Sequence, residues 1–383
     1  MKTERIFRIA AATRLALACL GIGFFWIFLT TSPAEARVGG PCVNCHTMHN
    51  SQDGTSVVDA DLGLQPALTS TDCVGCHSND SETIKDLGDG TRIPIVYTTN
   101  APSLEPGTPT SMLAGGNFHW VKTDDNKGHN VYGISGMDSL LRTAPGASTS
   151  CSPCHDTLAT ARSGCRGCHL PAHHADDSAV VVTGEQGAYR FLGNVMSAVF
   201  TGWPPETKGG WGLGGKGVAG IEDADWEQSV SATDHNTYSG TEVVYPKDAF
   251  SYLNHGVIGE VCTGCHGNFH HRMNTGQSAN TAQAGDLSGV WIRHPSDVLI
   301  PDAGEYAAYT RYNPLAPAAK QDLTAGMKNS STVTPGSDIV TCISCHRPHG
   351  SPYPDMLRWD YDTCDAGTAN EACGCYVCHT AKD

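Results

Sequence analysis

Seven copies of the pattern C-x-x-C-H are spread along the 383 residues, and no other feature constrains the chain as strongly. Two thiols separated by two residues and followed at once by a histidine are the attachment signature of c-type haem. The thiols form thioethers to the porphyrin and the imidazole binds the iron. The paired cysteines are Cys42 and Cys45, Cys73 and Cys76, Cys151 and Cys154, Cys165 and Cys168, Cys262 and Cys265, Cys342 and Cys345, and Cys375 and Cys378. The histidines are His46, His77, His155, His169, His266, His346 and His379. The sequence therefore predicts seven covalently bound haem c groups.

Other uses of paired cysteines fit this pattern less well. Thioredoxin-like redox centres and zinc sites also contain C-x-x-C pairs, but neither requires a histidine directly after every pair. The seven units take up fourteen of the seventeen cysteines. Two of the others, Cys364 and Cys373, lie nine positions apart just before the last unit. An oxidising compartment favours a disulfide between them, with free thiols or pairing between subunits as the alternatives.

The N-terminus has the pattern of a secretory signal. Basic residues between Lys2 and Arg14 precede an apolar run, Leu15–Leu29, and a cleavage site at Ala34–Ala36. We therefore expect a signal peptide at 1–36 and an exported heptahaem domain at 37–383. An uncleaved anchor is the alternative, although the apolar run is short for a span of about 20 residues. Without residues 1–36 the formal net charge changes from -15 to -17, which disfavours nucleic acid as a partner.

The composition predicts little regular secondary structure. Glycine and proline are abundant, at 43 and 21 residues, aromatic residues are 7% of the chain, and no long stretch keeps a helical apolar period. The expected fold is mostly irregular coil around the haems, a haem-cored multihaem cytochrome c with short helices at the attachment units and a few short strands. A longer helical stretch is expected around Glu305–Met327, broken near Pro314 and Pro317. Strands are expected at Ile93–Thr98, Val180–Thr183, Ala188–Leu192 and Thr241–Tyr245.

Eleven histidines lie outside the attachment units, which is enough to give every iron a second imidazole. His49 and His349 lie three positions after a motif histidine, and His270 lies four after one, which is one helical turn. Each would serve a neighbouring haem, because its own haem already carries the motif histidine on that side. Either His173 or His174 is expected to do the same. The candidate distal ligands are His49, His119, His129, His173, His270, His294 and His349, with His235 and His255 in reserve. For any one of them the alternative is a surface or hydrogen-bonding histidine.

Irons that carry two imidazoles leave no coordination position for a substrate, and no C-x-x-C-K variant marks a substrate haem. The predicted function is therefore electron transfer, with no catalytic residues. A monomeric periplasmic or cell-surface carrier is one alternative. A multihaem reductase with one five-coordinate iron is a less favoured one.

Several segments around the attachment units carry a resemblance to known proteins: 42–51, 116–122 with 127–130, 187–193, 293–295, 342–349 and 378–383. They resemble the outer-surface multihaem c-type cytochromes of metal-reducing bacteria, which form extracellular filaments called cytochrome nanowires. The resemblance implies an extracellular chain of bis-histidine haems that continues through stacked subunits, with His49 given to a haem of the adjacent subunit. It also implies other redox proteins and extracellular electron acceptors as partners. That pattern has six haems, and the additional unit here is Cys165–His169.

Overall fold

The computed structural model describes residues 40–52, 55–56, 68, 73–141, 144–145, 158–159, 164–169, 173, 189–192, 218–243, 256–263, 265–266 and 294–382. In this part of the chain the α-helices are α1 (Val74–His77), α2 (Gly259–Thr263), α3 (Cys342–Cys345) and α4 (Gly374–Cys378). Single 3-10 turns lie at Cys42–Asn44, Asp125–Lys127, Gly164–Gly167, Tyr189–Phe191, Gly304–Tyr306, Ala325–Met327, Pro354–Met356 and Tyr361–Thr363. Most other described residues lie in turns and irregular segments, so the expected mostly irregular fold is confirmed. None of the described helices is long and apolar enough to cross a bilayer.

The described strands are very short and pair two by two. They are β1 (Ser51–Gln52), β2 (Thr55–Ser56), β3 (Ser78–Asn79), β4 (Ile84–Asp86), β5 (Arg92–Pro94), β6 (Tyr97–Thr98), β7 (Gly220–Ile221), β8 (Thr237–Tyr238), β9 (Val298–Leu299) and β10 (Ile339–Val340). The pairs β1-β2, β4-β5, β7-β8 and β9-β10 are antiparallel, and β3-β6 is parallel. Such small sheets are marginal alone, so their stability depends on what they pack against.

The prediction of a longer helix around Glu305–Met327 is wrong. The described residues there contain only the two 3-10 turns at its ends. Between them the Ala319 amide donates to Ile339 at 2.9 Å and the Lys320 amide donates to Tyr238 at 2.8 Å. The prolines prevent a continuous helix, and the backbone finds its hydrogen bonds in distant segments instead.

The strand expected at Ile93–Thr98 is divided into β5 and β6. The two residues between them change partners, because Ile95 donates to the Thr83 carbonyl and Val96 donates to the His77 carbonyl. The second of these bonds ties the strand directly to the second attachment unit.

Two of the other three strand predictions are wrong where the structure describes them. Tyr189–Phe191, within the expected strand at 188–192, forms a 3-10 turn in which Arg190 and Phe191 have positive φ. Residues 241–243 form no strand, although β8 lies just before them. The remaining residues of these candidates, including Val180–Thr183, lie outside the described part.

Each hydrophobic cluster of the described chain packs against an attachment unit. The first contains Ile343 of α3, the second packs against Val377 and Cys378 of α4, and the third packs against Val74 of α1 and Cys165. The first cluster is Tyr189, Val218, Tyr238, Ile258, Ala319, Ile339 and Ile343. The second is Ile300, Tyr309, Tyr312, Ala318 and Val333, and the third is Phe118, Val121, Val131 and Ile134. Apolar packing therefore holds the attachment units in place.

Candidate haem sites

The attachment units share one backbone geometry. In each of the six described units the histidine amide donates to the carbonyl of the first cysteine, which closes one helical turn. The distances are 2.8 Å from His46 to Cys42, 3.0 Å from His77 to Cys73, 2.9 Å from His169 to Cys165, 2.9 Å from His266 to Cys262, 3.0 Å from His346 to Cys342 and 2.9 Å from His379 to Cys375. The turn keeps the two thiols and the imidazole of a unit close together. The unit Cys151–His155 lies outside the described residues.

Five of the six described motif histidines are oriented by a contact of Nδ1. Four of them face a backbone carbonyl: His77 faces Pro94 at 2.7 Å, His169 faces Arg190 at 3.0 Å, His266 faces Pro145 at 2.8 Å and His346 faces Asp355 at 2.7 Å. A carbonyl can only accept, so the imidazole must donate from Nδ1. This tautomer leaves the Nε2 lone pair for a metal, which is the usual arrangement of a ligating histidine.

The last unit uses a carboxylate for the same purpose. His379 Nδ1 lies 3.1 Å from Glu305 Oε1, and Lys382 lies 3.9 Å from the other carboxylate oxygen. The hydrogen bond with His379 and the nearby Lys382 hold the pKa of Glu305 below its usual range. Sequence reasoning missed Glu305, because 74 positions separate it from His379 and no motif links them.

Four motif histidines each face a histidine from elsewhere in the chain. The ring centroids are 6.3 Å apart for His77 and His173, 5.9 Å for His169 and His349, 6.1 Å for His266 and His129, and 6.2 Å for His379 and His294. Two metal–nitrogen bonds of about 2.0 Å plus the offset of roughly 1.1 Å from nitrogen to centroid in each ring give about 6.2 Å. The spacing therefore fits one metal ion between the two rings of each pair.

The facing histidine never belongs to the same unit as its partner. His349 lies against His169, not against His346 three positions before it. His173 lies against His77 of the second unit, not against His169 four positions before it. In both cases the histidine lies against the motif histidine of another unit and not against that of its own unit.

Close backbone packing brings His129 and His349 to their partners. The His349 amide donates to Gly115 at 2.8 Å, and Asn117 donates to Gly350 at 3.0 Å. Gly116 has φ +89, and a Cβ there would collide with the Gly350 carbonyl. Only glycine fits this crossing, which joins segments more than 200 positions apart.

Burial keeps several of these imidazoles neutral. Desolvation lowers the pKa of His129 and of His169, and it lowers the pKa of His349 to about 3. A neutral imidazole offers a lone pair, whereas an imidazolium cannot bind a metal. Phe118 also packs on His349, with ring centroids 4.8 Å apart, and Gly115 lies against the same imidazole.

His235, a reserve candidate, has the surroundings of a structural histidine. Its Nδ1 lies 2.7 Å from the Asn236 carbonyl and its Nε2 lies 3.0 Å from the Ser330 carbonyl, and the ring stacks on Tyr312 at 3.5 Å. Both nitrogens face backbone carbonyls, so neither is directed towards space where an iron could bind.

The other candidate distal histidines differ from one another in their surroundings. His119 resembles the paired histidines, with Nδ1 3.0 Å from the Thr98 carbonyl, but its ring contact within the described residues is to Trp120. His294 bonds through Nδ1 to the carbonyl of Pro295 at 2.8 Å. His49 is exposed and has φ 59. The remaining candidates from the sequence lie outside the described residues: His174, His255 and His270.

Cysteines of different attachment units lie side by side. Cys165 is hydrogen-bonded to Cys73, and Cys262 is hydrogen-bonded to Cys342. These contacts, together with burial, raise the pKa of both Cys165 and Cys262. Burial and then the neighbouring Cys378 raise the pKa of Cys345 to about 12. The second unit therefore lies against the fourth, the fifth against the sixth, and the sixth against the seventh.

Two guanidinium groups lie at the sixth unit, that of Arg358 buried and that of Arg347 half-buried. Arg358 donates to the carbonyls of Ile343 at 3.4 Å and Pro314 at 3.0 Å, and Arg347 donates to two carbonyls at 3.1 Å. Neither forms an ion pair with a carboxylate within the described part of the chain, and the Nε of each is buried without a hydrogen bond there. Burial, and then the charge of Arg358, lower the pKa of Arg347 to about 9. These residues were not found from the sequence, where they look like ordinary basic residues.

The disulfide expected between Cys364 and Cys373 is confirmed. Their Cα atoms are 5.4 Å apart, and the bond closes the loop before α4.

Comparison with known proteins gives a matching motif, a similar sequence and two similar solved structures. Residues 335–383 match the doubled CXXCH motif. The chain is 26% identical over 377 residues to the C-type cytochrome OmcS of Geobacter sulfurreducens (strain ATCC 51573 / DSM 12127 / PCA), covering 83% of this chain and 78% of the relative. One similar solved structure is the outer membrane cytochrome S filament, at 22% identity, 88% coverage of both chains and a TM-score of 0.45. Another is the cryo-EM structure of the OmcS nanowires, at 21% identity, 88% coverage of this chain, 87% coverage of that chain and a TM-score of 0.47. Both proteins are from Geobacter sulfurreducens. The match to OmcS confirms the resemblance seen in the haem segments. Together with the doubled motif it supports covalently bound haem c.

Proposed function

We propose that this chain binds seven haem c groups, carries electrons along them outside the cell, and polymerises into a conductive filament. The observation that carries the proposal is the set of four imidazole pairs, each made of one motif histidine and one distant histidine at 5.9 to 6.3 Å. Ordinary structural histidines have no reason to adopt this spacing four times.

The histidines proposed as ligands follow from these pairs. His77 with His173, His169 with His349, His266 with His129, and His379 with His294 would each hold one iron. His46, His155 and His346 would hold the other three, and the remaining distal ligands would come from His49, His119 and His270. Such irons are saturated and have no room for substrate, which favours a relay over an enzyme.

The contacts between attachment cysteines support a continuous electron-transfer path along the proposed haems. Each contact, Cys73 with Cys165 and Cys262 with Cys342, joins units far apart in sequence. Cys345 and Cys378 extend the series to the last unit. Bound haem supplies one-electron redox chemistry, and the protein tunes it through axial ligands, burial and hydrogen bonds.

Assembly into a filament is supported by His49 and by the sequence similarity. The His49 ring is exposed and makes no hydrogen bond, ion pair or ring contact within the described residues. An exposed imidazole of this kind is available to an iron of another subunit. The relatives with solved structures are named as a filament and as nanowires. The proposed partners are other copies of this chain, redox proteins that donate electrons and extracellular electron acceptors.

The haem count is tested by the mass of the exported protein. We expect intact-mass spectrometry to give the polypeptide from residue 37 plus seven haem c groups, and electron paramagnetic resonance of the oxidised protein to show low-spin iron alone. A mass with six haems would remove one unit from the proposal. A high-spin signal would favour the reductase alternative, and separate particles at high concentration would favour the monomeric carrier.

The buried guanidinium of Arg358 predicts a shifted haem potential. A positive charge without a carboxylate partner favours the reduced state of a nearby iron, since reduction lowers the positive charge there. Arg358→Gln is therefore expected to lower the midpoint potential of one haem by about 59 mV, a tenfold change in its one-electron reduction equilibrium. Potentiometric titration followed by absorbance measures this. Arg358→Lys keeps the charge and should titrate like the parent protein, and two identical titration curves for both variants would contradict the assignment.

A further inference from the structure

Three cysteines gather at the start of the last attachment unit. Cys364 and Cys373 are joined, and their sulfurs and that of Cys375 all lie within 4.8 Å of one another. Cys375 is the first cysteine of the unit that ends at His379. Two of the three sulfurs are bonded to each other, so the cluster has too few free thiolates for a metal. The disulfide leaves Cys373 without a free thiol beside the free thiol of Cys375.

The sequence offers the last haem two possible first cysteines. Cys373 and Cys375 both precede Cys378 and His379, with spacers of four and two residues. Both are near the same helical turn, because the Tyr376 amide donates to the Cys373 carbonyl at 3.1 Å and the His379 amide donates to the Cys375 carbonyl at 2.9 Å. Sequence spacing alone therefore does not decide which of the two thiols would attach the haem.

Packing places the two cysteines differently. Cys373 precedes α4 in an extended conformation and is almost completely buried, with 1% of its surface exposed. Gly374 allows the chain to pass Trp359, since a Cβ there would collide with the indole ring. Cys375 is part of α4 and only partly buried. The disulfide therefore holds a buried sulfur beside the thiol of the attachment unit.

We propose that the Cys364–Cys373 disulfide selects the cysteine that attaches the last haem, by blocking Cys373 and leaving Cys375 as the thiol that reacts. The inference rests on the proposed haem attachment at this unit. Attachment adds a thiol S–H across a vinyl group, with sulfur bonding one carbon and hydrogen the other, so no oxidant is consumed. A disulfide sulfur has no hydrogen to give and cannot add. It follows that the disulfide must form before the last haem is attached.

The experiment frees Cys373 and maps the thioethers. Cys364→Ser leaves Cys373 as a free thiol whose sulfur lies within 4.8 Å of the Cys375 sulfur. After free thiols are alkylated and the chain is digested, tandem mass spectrometry of the C-terminal haem peptide shows which cysteine carries the porphyrin. We expect the fraction attached through Cys375 to fall roughly twofold or more, because two neighbouring thiols then compete for the same haem. Cys364→Ser/Cys373→Ser is the matched control, and it should restore attachment through Cys375 alone.

Two different results would count against two different claims. A Cys364→Ser chain attached only through Cys375, with its full set of haems, overturns the selection by the disulfide. A parent chain with no haem on the peptide that contains Cys375 and Cys378 overturns the proposed attachment itself. The other haem peptides in the same digest report whether the variant has folded and matured.

Discussion

Replacing His49 with alanine is expected to abolish filaments while leaving seven haems on each subunit. The imidazole is exposed at a tight turn in which the Ser51 amide donates to the Met48 carbonyl at 3.0 Å. If it binds an iron of the next subunit, its removal deletes one metal–ligand bond from every interface. We expect a loss of at least about 4 kcal/mol per interface, which raises the concentration needed for assembly about a thousandfold. Electron microscopy of the secreted fraction and intact mass measure the two outcomes.

Two controls distinguish loss of the imidazole from a disturbance of the backbone turn at His49. His49 has a positive φ, which asparagine tolerates better than alanine, so His49→Asn removes the ligand with less backbone strain and should also lose filaments. Met48 is the exposed neighbour, at 68% exposure, and Met48→Ala should still polymerise. Normal filaments from both His49 variants would show that another residue completes the interface.

Replacing His349 with alanine is expected to convert one haem in seven from low-spin to high-spin. The half-buried ring packs between Phe118 and the Gly115 backbone, and its centroid lies 5.9 Å from that of the His169 ring. Alanine cannot reach the iron, so the iron proposed at His169 would keep one imidazole and gain an open position. Electron paramagnetic resonance should show the new high-spin signal, and added imidazole should remove it. A carbon monoxide complex should form in the variant and not in the parent protein.

His235→Gln is the matched control for His349→Ala. It also removes an imidazole, but one whose two nitrogens face backbone carbonyls at 2.7 Å and 3.0 Å. Loss of those hydrogen bonds should cost about 1 to 3 kcal/mol of unfolding free energy and leave every iron low-spin. A high-spin signal from His235→Gln, or none from His349→Ala, would reverse the two roles assigned here.

The sequence was informative where the chemistry is local. Each C-x-x-C-H unit contains its thiols and its motif histidine within five positions, so spacing alone predicts the attachment turns seen at Cys42–Asn44 and in α3. The disulfide between Cys364 and Cys373 was also within reach, because nine positions close a small loop. The helix around Glu305–Met327 was predicted wrongly, because local propensity does not register the strand-like pairing of Ala319 with Ile339.

By itself the sequence determined the positions and the number of the C-x-x-C-H units. Which distant imidazole faces which unit was decided only by the tertiary structure, as in the pairing of His129 with His266. That pairing depends on glycine crossings and on backbone carbonyls that orient each ring, and carbonyls occur in every residue. Because every residue has a carbonyl, the sequence does not indicate which carbonyls orient an imidazole. Only the folded chain shows which ones do.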